Sequence, residues 1–313
     1  MPVQRASGIP EYGPGGTINY NPEIYSGKLV EKFYKTTVFG EIASTDYEGE
    51  IAGMGSNVII RTIPDVTVSD YVIGQGLTPQ YPQRNSVTLS ISQAKSFNVA
   101  LSTVDSRQSD LDMADIFAND GSIQLRIAAD ADMLEVIPSD VAAENSGANA
   151  GNDSADINLG TAAAPLEISS VNVVNLFTNM GQILDEQSVA DEGRWAVCPP
   201  WLINLIKNSD LKIASLAGDG VSILRNGKVG EIDRFTIYQS RNVLQQISPA
   251  RCSYVPFGHS AGLTFAAQIV ECQMIDNPND FGYLIRGLMV YGYEVVEPNY
   301  LGTAIVQKSS ATG

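Results

Sequence analysis

Val58-Ile-Ile-Arg-Thr-Ile63 and Ser86-Val-Thr-Leu-Ser-Ile-Ser92 are two β-runs, joined by a tip that neither run can cover. The second run alternates strictly and sets Val87, Leu89 and Ile91 on one face, the period of a half-buried strand. The first resumes after Pro64 with Val66 and Val68. Between them, Ile73-Gly-Gln-Gly-Leu-Thr-Pro-Gln-Tyr-Pro-Gln-Arg-Asn85 is far too long for a two-residue hairpin turn. Half of residues 57–92, fully extended at roughly 3.3 Å each, reaches about 60 Å, whereas a compact chain of this length has a radius of gyration near 20 Å. Part of the arm therefore lacks a surface of its own to pack on, unless it folds back over the body.

Outward from the arm, the order of elements is regular. Residues 1–21 are rich in Gly, Pro, Tyr and Asn without periodicity and read as an extended tail. Pro22 opens a short helix with Ile24, Leu29 and Phe33 on one face, and Phe39 to Ile51 reads as strand-rich. After the arm, a strand is expected from Phe97 to Val104, then a helix of about twenty-five residues from near Asp110. Met113, Ile116, Phe117, Ile123, Ile127 and Leu134 form its apolar stripe. Asp110, Asp112 and Asp115 suit its amino-terminal dipole; Asp130, Asp132 and Glu135 sit at the wrong end and require either solvent or a basic neighbour.

Residues 138–165 are dominated by Ala, Asn, Ser, Gly and Asp, a composition expected of a surface loop at a lobe boundary. A second helix carries Val173, Phe177, Met180 and Leu184 on one face, with Ser169 or Ser170 as its cap. A strand at Arg194–Cys198 leads into a helix with proline in its first turn, Pro199 to Lys207. Asn226-Gly227 signals a tight turn, followed by strands at Phe235–Tyr238, Tyr283–Val296 and Ala304–Val306.

Composition narrows the function. The chain has 313 residues and a formal net charge of −16. Residues 104–164 hold twelve acidic groups against two basic ones, so most of the excess lies in one fifth of the chain. A nucleic-acid-gripping protein needs the reverse, a basic stripe. Any contact with DNA is then local and weak, with Lys28, Lys32 and Lys35 as candidates against a plain solvated helix face. No apolar run approaches the ~20 residues of a membrane helix, and the start lacks the regions of a signal peptide, which favours an intracellular origin. Cys198, Cys252 and Cys272 are an odd number in apolar stretches, expected as reduced core thiols.

Catalytic motifs are sparse. Gly258-His-Ser-Ala-Gly262 matches the G-x-S-x-G nucleophile elbow after a strand. Its Ser260 needs a histidine base, which in that architecture comes later in the sequence. The chain's single histidine is the adjacent His259, which would point away from the hydroxyl. Asp110-Leu-Asp-Met-Ala-Asp115 lacks the glycine and distal glutamate of a calcium loop, and no Cys/His set has zinc spacing. Gly74-Gln-Gly76 and Gly218-Asp-Gly220 lack the glycine ladder or lysine of a phosphate cradle and read as turns. Neither a catalytic residue, a cofactor site nor a metal site is assigned.

Without catalysis, the order tail, short helix, β-arm, long helix, mixed lobe and returning strands becomes the signal. Gly193-Arg-Trp-Ala-Val-Cys-Pro-Pro-Trp-Leu202, Gly230-Glu-Ile-Asp-Arg-Phe-Thr-Ile-Tyr238 and Leu288 to Pro298 with Ala304-Ile-Val306 resemble segments of tailed-bacteriophage major capsid proteins. The resemblance spans roughly residues 22–308 and implies an α+β chain with the Hong Kong 97-type (HK97-like) capsid fold. It implies an amino-terminal arm (1–45), an extended β-hairpin loop (46–97), a peripheral domain with a long spine helix (98–168 and 265–298) and an axial domain (169–264 and 299–313). By the same resemblance, pentamers and hexamers of the chain build an icosahedral shell around double-stranded DNA, assembled in the host cytoplasm, with portal and decoration proteins as partners and no membrane. Some relatives weld subunits through a lysine of the loop; here none lies between Lys35 and Lys95. With only about twenty residues ahead of the arm, scaffolding is expected from a separate protein. Candidate intersubunit contacts are Arg61, Ile73, Leu77, Tyr81 and Arg84, with the two arginines as ion-pair partners. The remaining readings are an encapsulin-type compartment shell of the same fold and a serine hydrolase using Ser260.

Overall fold

The computed structural model describes residues 34–47, 57–61, 66–71, 73–74, 76, 79–82, 86–103, 113–209, 230–248, 250–278 and 280–309. The readings at Pro22, at Asp110 and Asp112, at Gly218–Gly220 and at Asn226-Gly227 lie outside them.

A helix of 28 residues, α2 (Met113–Asp140), spans about 42 Å and organises one half of the molecule. Its stripe is buried most deeply over the carboxyl-terminal turns, at Leu125, Ala129, Met133, Leu134 and Ile137, whereas Met113, Ile116, Phe117 and Ile123 are only half-buried. The helix continues through Pro138. That proline has no N–H for the preceding turn, and the Ser139 hydroxyl caps the Val136 carbonyl at 2.7 Å.

Strands β3 (Gln93–Ser102), β10 (Leu263–Asp276) and β11 (Gly282–Val295) form an antiparallel sheet in the order β10-β11-β3. Phe97, Met289 and Tyr291 lie in the same core as the inner face of α2. The Phe97 ring occupies space that a Cβ at Gly121 of the helix, or at Gly287 of the sheet, would claim. A side chain at either place would force the Phe97 ring out of its present position between helix and sheet.

The second half is a mixed sheet with strand order β4-β12-β9-β5-β7-β6. Its strands are β4 (Leu166–Ile168), β5 (Arg194–Cys198), β6 (Glu231–Ile232), β7 (Phe235–Gln239), β9 (Cys252–His259) and β12 (Leu301–Lys308), with the short β8 (Gln245–Gln246) beside β9. Helices α3 (Val173–Glu186) and α4 (Pro200–Lys207) pack Phe177, Met180, Leu184 and Leu202 on one face, against Ala196, Phe235, Phe257 and Val306. Trp195, Val197 and Leu301 point the other way and join the α2 core. All five residues of β5 are buried, as expected for a strand covered on both sides.

The arm's base is a short antiparallel ladder. β1 (Asn57–Arg61) pairs with β2 (Ser86–Ser90) from Asn57↔Ser90 to Arg61↔Ser86. Its Ile60 and Leu89, with the following Ile91, cluster with Ala266, Val290 and Val296 of the body. The alternation read in residues 86–92 thus faces the core as expected.

Four expectations are corrected. Phe39–Ile42 is a helical turn, α1, rather than a strand, followed by a parallel bridge from Ser44 to Thr264. The start of α3 is Asn172, whose Oδ1 accepts from the Ser169 amide and hydroxyl at 2.7 and 3.2 Å, so neither serine is the cap. Cys198 and Cys252 are buried free thiols, but Cys272 is exposed on the edge strand β10. Residues 142–165 are knitted into the second sheet rather than lying over it. Asn145, Ala150, Ile157 and Leu159 are buried there. The Asn145 Nδ2 donates to the carbonyls of Asn299 and Leu301 at 2.7 and 2.8 Å, and the Ile305 amide donates to Leu159 O at 2.8 Å.

Candidate assembly interface

The described part of the arm beyond β1 and β2 has no regular structure, and its apolar side chains face solvent. Val68 is 92% exposed, Ile73 90% and Tyr81 81%, with Val66 and Tyr71 also open. Large apolar groups held this far from any core are unusual as a group on one loop. Across the neck, the Thr67 amide donates to Gln80 Oε1 at 3.1 Å and Gln80 Nε2 donates back to Thr67 O at 2.6 Å. This side-chain imitation of a β-pair joins two points of the loop thirteen residues apart. The arm is a held projection with a greasy tip.

Among the candidate contacts, Arg61 is exposed at the end of β1, opposite Ser86, and Ile73 and Tyr81 are exposed on the tip. Leu77 and Arg84 lie outside the described residues.

At the root of this region, the segment 34–45 is fastened by Asp130, a residue that sequence could only flag as misplaced. Its Oδ1 accepts from the amides of Val38 and Phe39 at 2.8 and 2.9 Å, and Oδ2 accepts from Asn242 Nδ2 at 2.6 Å. Asp130 is fully buried. Burial pushes its carboxyl above the usual range, and the Asn242 side chain and the two amides pull against that shift. The amides are those that open α1, so the carboxylate caps that turn from another element. Asp132 finds a different partner, accepting from the Tyr291 hydroxyl at 2.7 Å and pairing with Lys95 at 2.9 Å. Glu135 is exposed. Both expected answers thus occur, a basic neighbour at Asp132 and solvent at Glu135, and Asp130 adds one that was not expected, backbone amides of a distant segment.

In the second half, the fully buried Arg194 guanidinium donates to Asp185 at 2.7 Å and to the Val189 and Ala190 carbonyls. Arg234, in a β6–β7 turn where it and Asp233 both adopt positive φ, bridges Asp185 at 2.8 Å and Asp191 at 2.7 Å. Desolvation works to raise the Asp185 carboxyl, but the two guanidiniums outweigh it and hold it below the ordinary carboxylate range. At the next residue, the last of α3, desolvation of Glu186 is likewise outweighed. Gln182 and the amides of Asp153 and Ser154 donate to it and bring it to about 2.

The G-x-S-x-G segment ends β9 and continues as a 3-10 turn, Ser260–Gly262, before β10. His259 Nδ1 accepts from the Ala261 amide at 3.0 Å, so that lone pair is engaged by backbone. Among the described residues no three metal-ligating side chains converge, and no helix is long and apolar enough to cross a membrane.

An α+β chain with this succession of arm, long helix, three-stranded sheet and mixed second sheet has the fold of phage capsid subunits. A solved structure from Mycobacterium phage Che8 superposes with a TM-score of 0.74 at 22% identity, covering 91% of this chain and 97% of that one. The capsid of cyanophage P-SCSP1u gives a TM-score of 0.69 at 14% identity, covering 96% and 98%. The capsid of a native GTA particle gives 0.62 at 12% identity, covering 92% and 96%. No family model matches the sequence, and no curated protein matches it. The likeness lies in the fold, over nearly the whole length of both chains.

Proposed function

We propose that this chain is the major capsid protein of a tailed phage, a structural subunit that self-assembles into an icosahedral shell enclosing the genome. The observation that carries this reading is the coincidence of end-to-end capsid likeness with an arm that leaves Val66, Val68, Tyr71 and Ile73 open to solvent. A projecting apolar loop costs solubility unless another copy covers it. Repeated heterologous contacts of that kind close into a shell.

In this reading α2 is the spine helix of a peripheral domain, the second sheet is the axial domain, and the copies gather as pentamers and hexamers. Arg61, Ile73, Leu77, Tyr81 and Arg84 contact a neighbouring subunit. With no lysine between Lys35 and Lys95, the clasp holds without covalent welding. Scaffolding comes from a separate protein, portal and decoration proteins complete the particle in the host cytoplasm, and packaged DNA is touched weakly. The phage and GTA capsids among the structural neighbours favour a virion shell over an encapsulin-type compartment. The engaged His259 lone pair gives no support to a hydrolase built on Ser260.

Deleting Ile73 to Asn85 tests the reading. A folded, soluble subunit that no longer forms stable shells is expected; normal particles from the deletion would overturn the role of the arm.

A further inference from the structure

The second sheet carries opposite charge at its two sides. At one side, β6 is the edge strand and displays Glu231, which is exposed. Beside it, the β6–β7 turn binds the loop holding Asp191 and Glu192 through the 2.7 Å contact from Arg234 to Asp191. The five carboxylates Asp185, Asp191, Glu192, Glu231 and Asp233 face only the guanidiniums of Arg194 and Arg234. Those two cations are engaged by the aspartates, so Glu192 and Glu231 are left without a cation among the described residues.

Four strand steps away across β7, β5 and β9, about 19 Å at the usual spacing, β12 ends in Lys308. A cleft of about 430 Å³ opens there, lined by Trp201, Gln246, Ile247, Arg251, Ser253 and Lys308. Arg251 and Lys308 are both exposed, and neither has an ion-pair partner among the described residues. The nearest acid on the adjoining strand, Glu167, is engaged by Gln307 Nε2 at 3.1 Å. Ile247, largely exposed at the rim, adds an apolar contact, and the Trp201 indole is fixed by its bond to Ser253 Oγ. In a chain of net charge −16, two unpaired cations around one cleft stand out as a local reversal.

We propose that this cleft receives the β6 side of a second copy of the same chain, Arg251 and Lys308 meeting Glu192 and Glu231. Acid and base lie at opposite sides of one sheet, so the contact is heterologous. Each copy offers its acidic side to one neighbour and its basic cleft to the next, which generates a ring when the rotation closes. The charges select head-to-tail order, since acidic side against acidic side brings like charges together. The proposal rests on the reading of the chain as a self-assembling subunit and gives that assembly its polarity.

Charge reversal of the full-length chain tests it. One variant carries Arg251→Glu with Lys308→Glu, another Glu192→Lys with Glu231→Lys, and a third carries all four changes. Thermal unfolding verifies that each is folded, and sedimentation velocity with electron microscopy measures the assembled fraction at low and high salt. Either two-site variant should lower assembly about tenfold at low salt, with less effect at high salt, where screening is stronger. The four-site variant should recover it, because complementarity is restored with its sign exchanged. A four-site variant no better than the two-site ones overturns the proposal, as do two-site variants that assemble like the parent. Loss of double-stranded DNA retention in the first variant with assembly unchanged would instead assign the cleft to phosphate and overturn it. Small rings that obey the charge pattern without ever closing into shells would sink the shell reading and leave this contact standing. Shells that ignore every reversal do the opposite, and a parent chain with no self-association removes both.

Discussion

The arm tip and the segment 142–165 have much the same chemistry in sequence, both rich in Gly, Asn, Gln or Ser and poor in periodicity, and they meet opposite fates. The segment is drawn into its own subunit by a few groups. Leu159 and Ile157 enter the core, the Asn145 amide stitches two carbonyls beside β12, and Glu186 accepts the amides of Asp153 and Ser154. The tip has large apolar side chains in greater number, Val66, Val68, Tyr71, Ile73 and Tyr81, and buries none of them. The difference teaches that composition does not decide whether an irregular segment is ordered against its own body. Access to complementary groups does, and the tip is carried beyond that reach by β1 and β2.

The contrast can be broken most forcefully at the tip. Replacing Val68, Tyr71, Ile73 and Tyr81 with Ser should leave the unfolding free energy of the subunit within about 0.5 kcal/mol per exposed site. The same change should abolish shells in electron micrographs. A subunit that melts instead, with its assembly spared while folded, would make the tip part of the body after all.

Next in size is Asp130. Truncation to Ala leaves a buried and a part-buried backbone amide and the Asn242 side chain without an acceptor and should destabilise the subunit by about 3 kcal/mol, read by urea unfolding. Asp130→Asn should cost much less. Asn242 Oδ1 is buried without a partner, so rotating that amide by half a turn presents an acceptor to the introduced NH2 while the new oxygen serves Val38 and Phe39. Equal losses in the two variants would show that charge, rather than hydrogen bonding, holds the segment 34–45.

Leu159→Ala should cost about 2 to 4 kcal/mol, the range for truncating a buried leucine, without affecting the arm. A change near zero would mean that the segment is a cover rather than a component of the core.

The smallest effect concerns acid. Glu186 is depressed to about 2 in the folded chain, so the unfolded chain binds more protons between about 4.5 and 2. Its stabilising contribution is complete above the unfolded value and is lost as pH falls through that window. Glu186→Gln should flatten the pH slope of the urea midpoint there. Asp130 has the opposite sign: its raised carboxyl favours the protonated folded state, so its contribution falls as pH rises from 3.8 through the folded value. An unchanged slope in Glu186→Gln would show that the Asp153 and Ser154 amides do not depend on this carboxylate.

Local patterns were legible where the physics is local. Alternation at Val87, Leu89 and Ile91 specified β2, the spacing of Val173, Phe177, Met180 and Leu184 specified α3, and the apolar run Trp195–Cys198 matched a strand buried on both faces. What failed depended on partners far away in sequence. Phe39–Ile42 has the aromatic and β-branched look of a strand, yet it forms a helical turn whose amides are capped by a carboxylate some ninety residues later. Residues 142–165 looked too polar to order, because the hydrogen bonds of Asn145 run to backbone more than 150 residues away. For the proposed interface, the sequence pointed to the arm through its excess length. It carried no signal for the pairing of Thr67 with Gln80, or for the charged sides of the second sheet, which strand order alone brings to opposite positions.

Electron microscopy of the purified full-length chain, alone and with any scaffolding protein from its own gene neighbourhood, tests the central claim most directly. Closed icosahedral shells with the arm tip of each subunit covered by a neighbour are the predicted result. A monodisperse subunit that never assembles under either condition, or shells in which Ile73 and Tyr81 remain open to solvent, would contradict it.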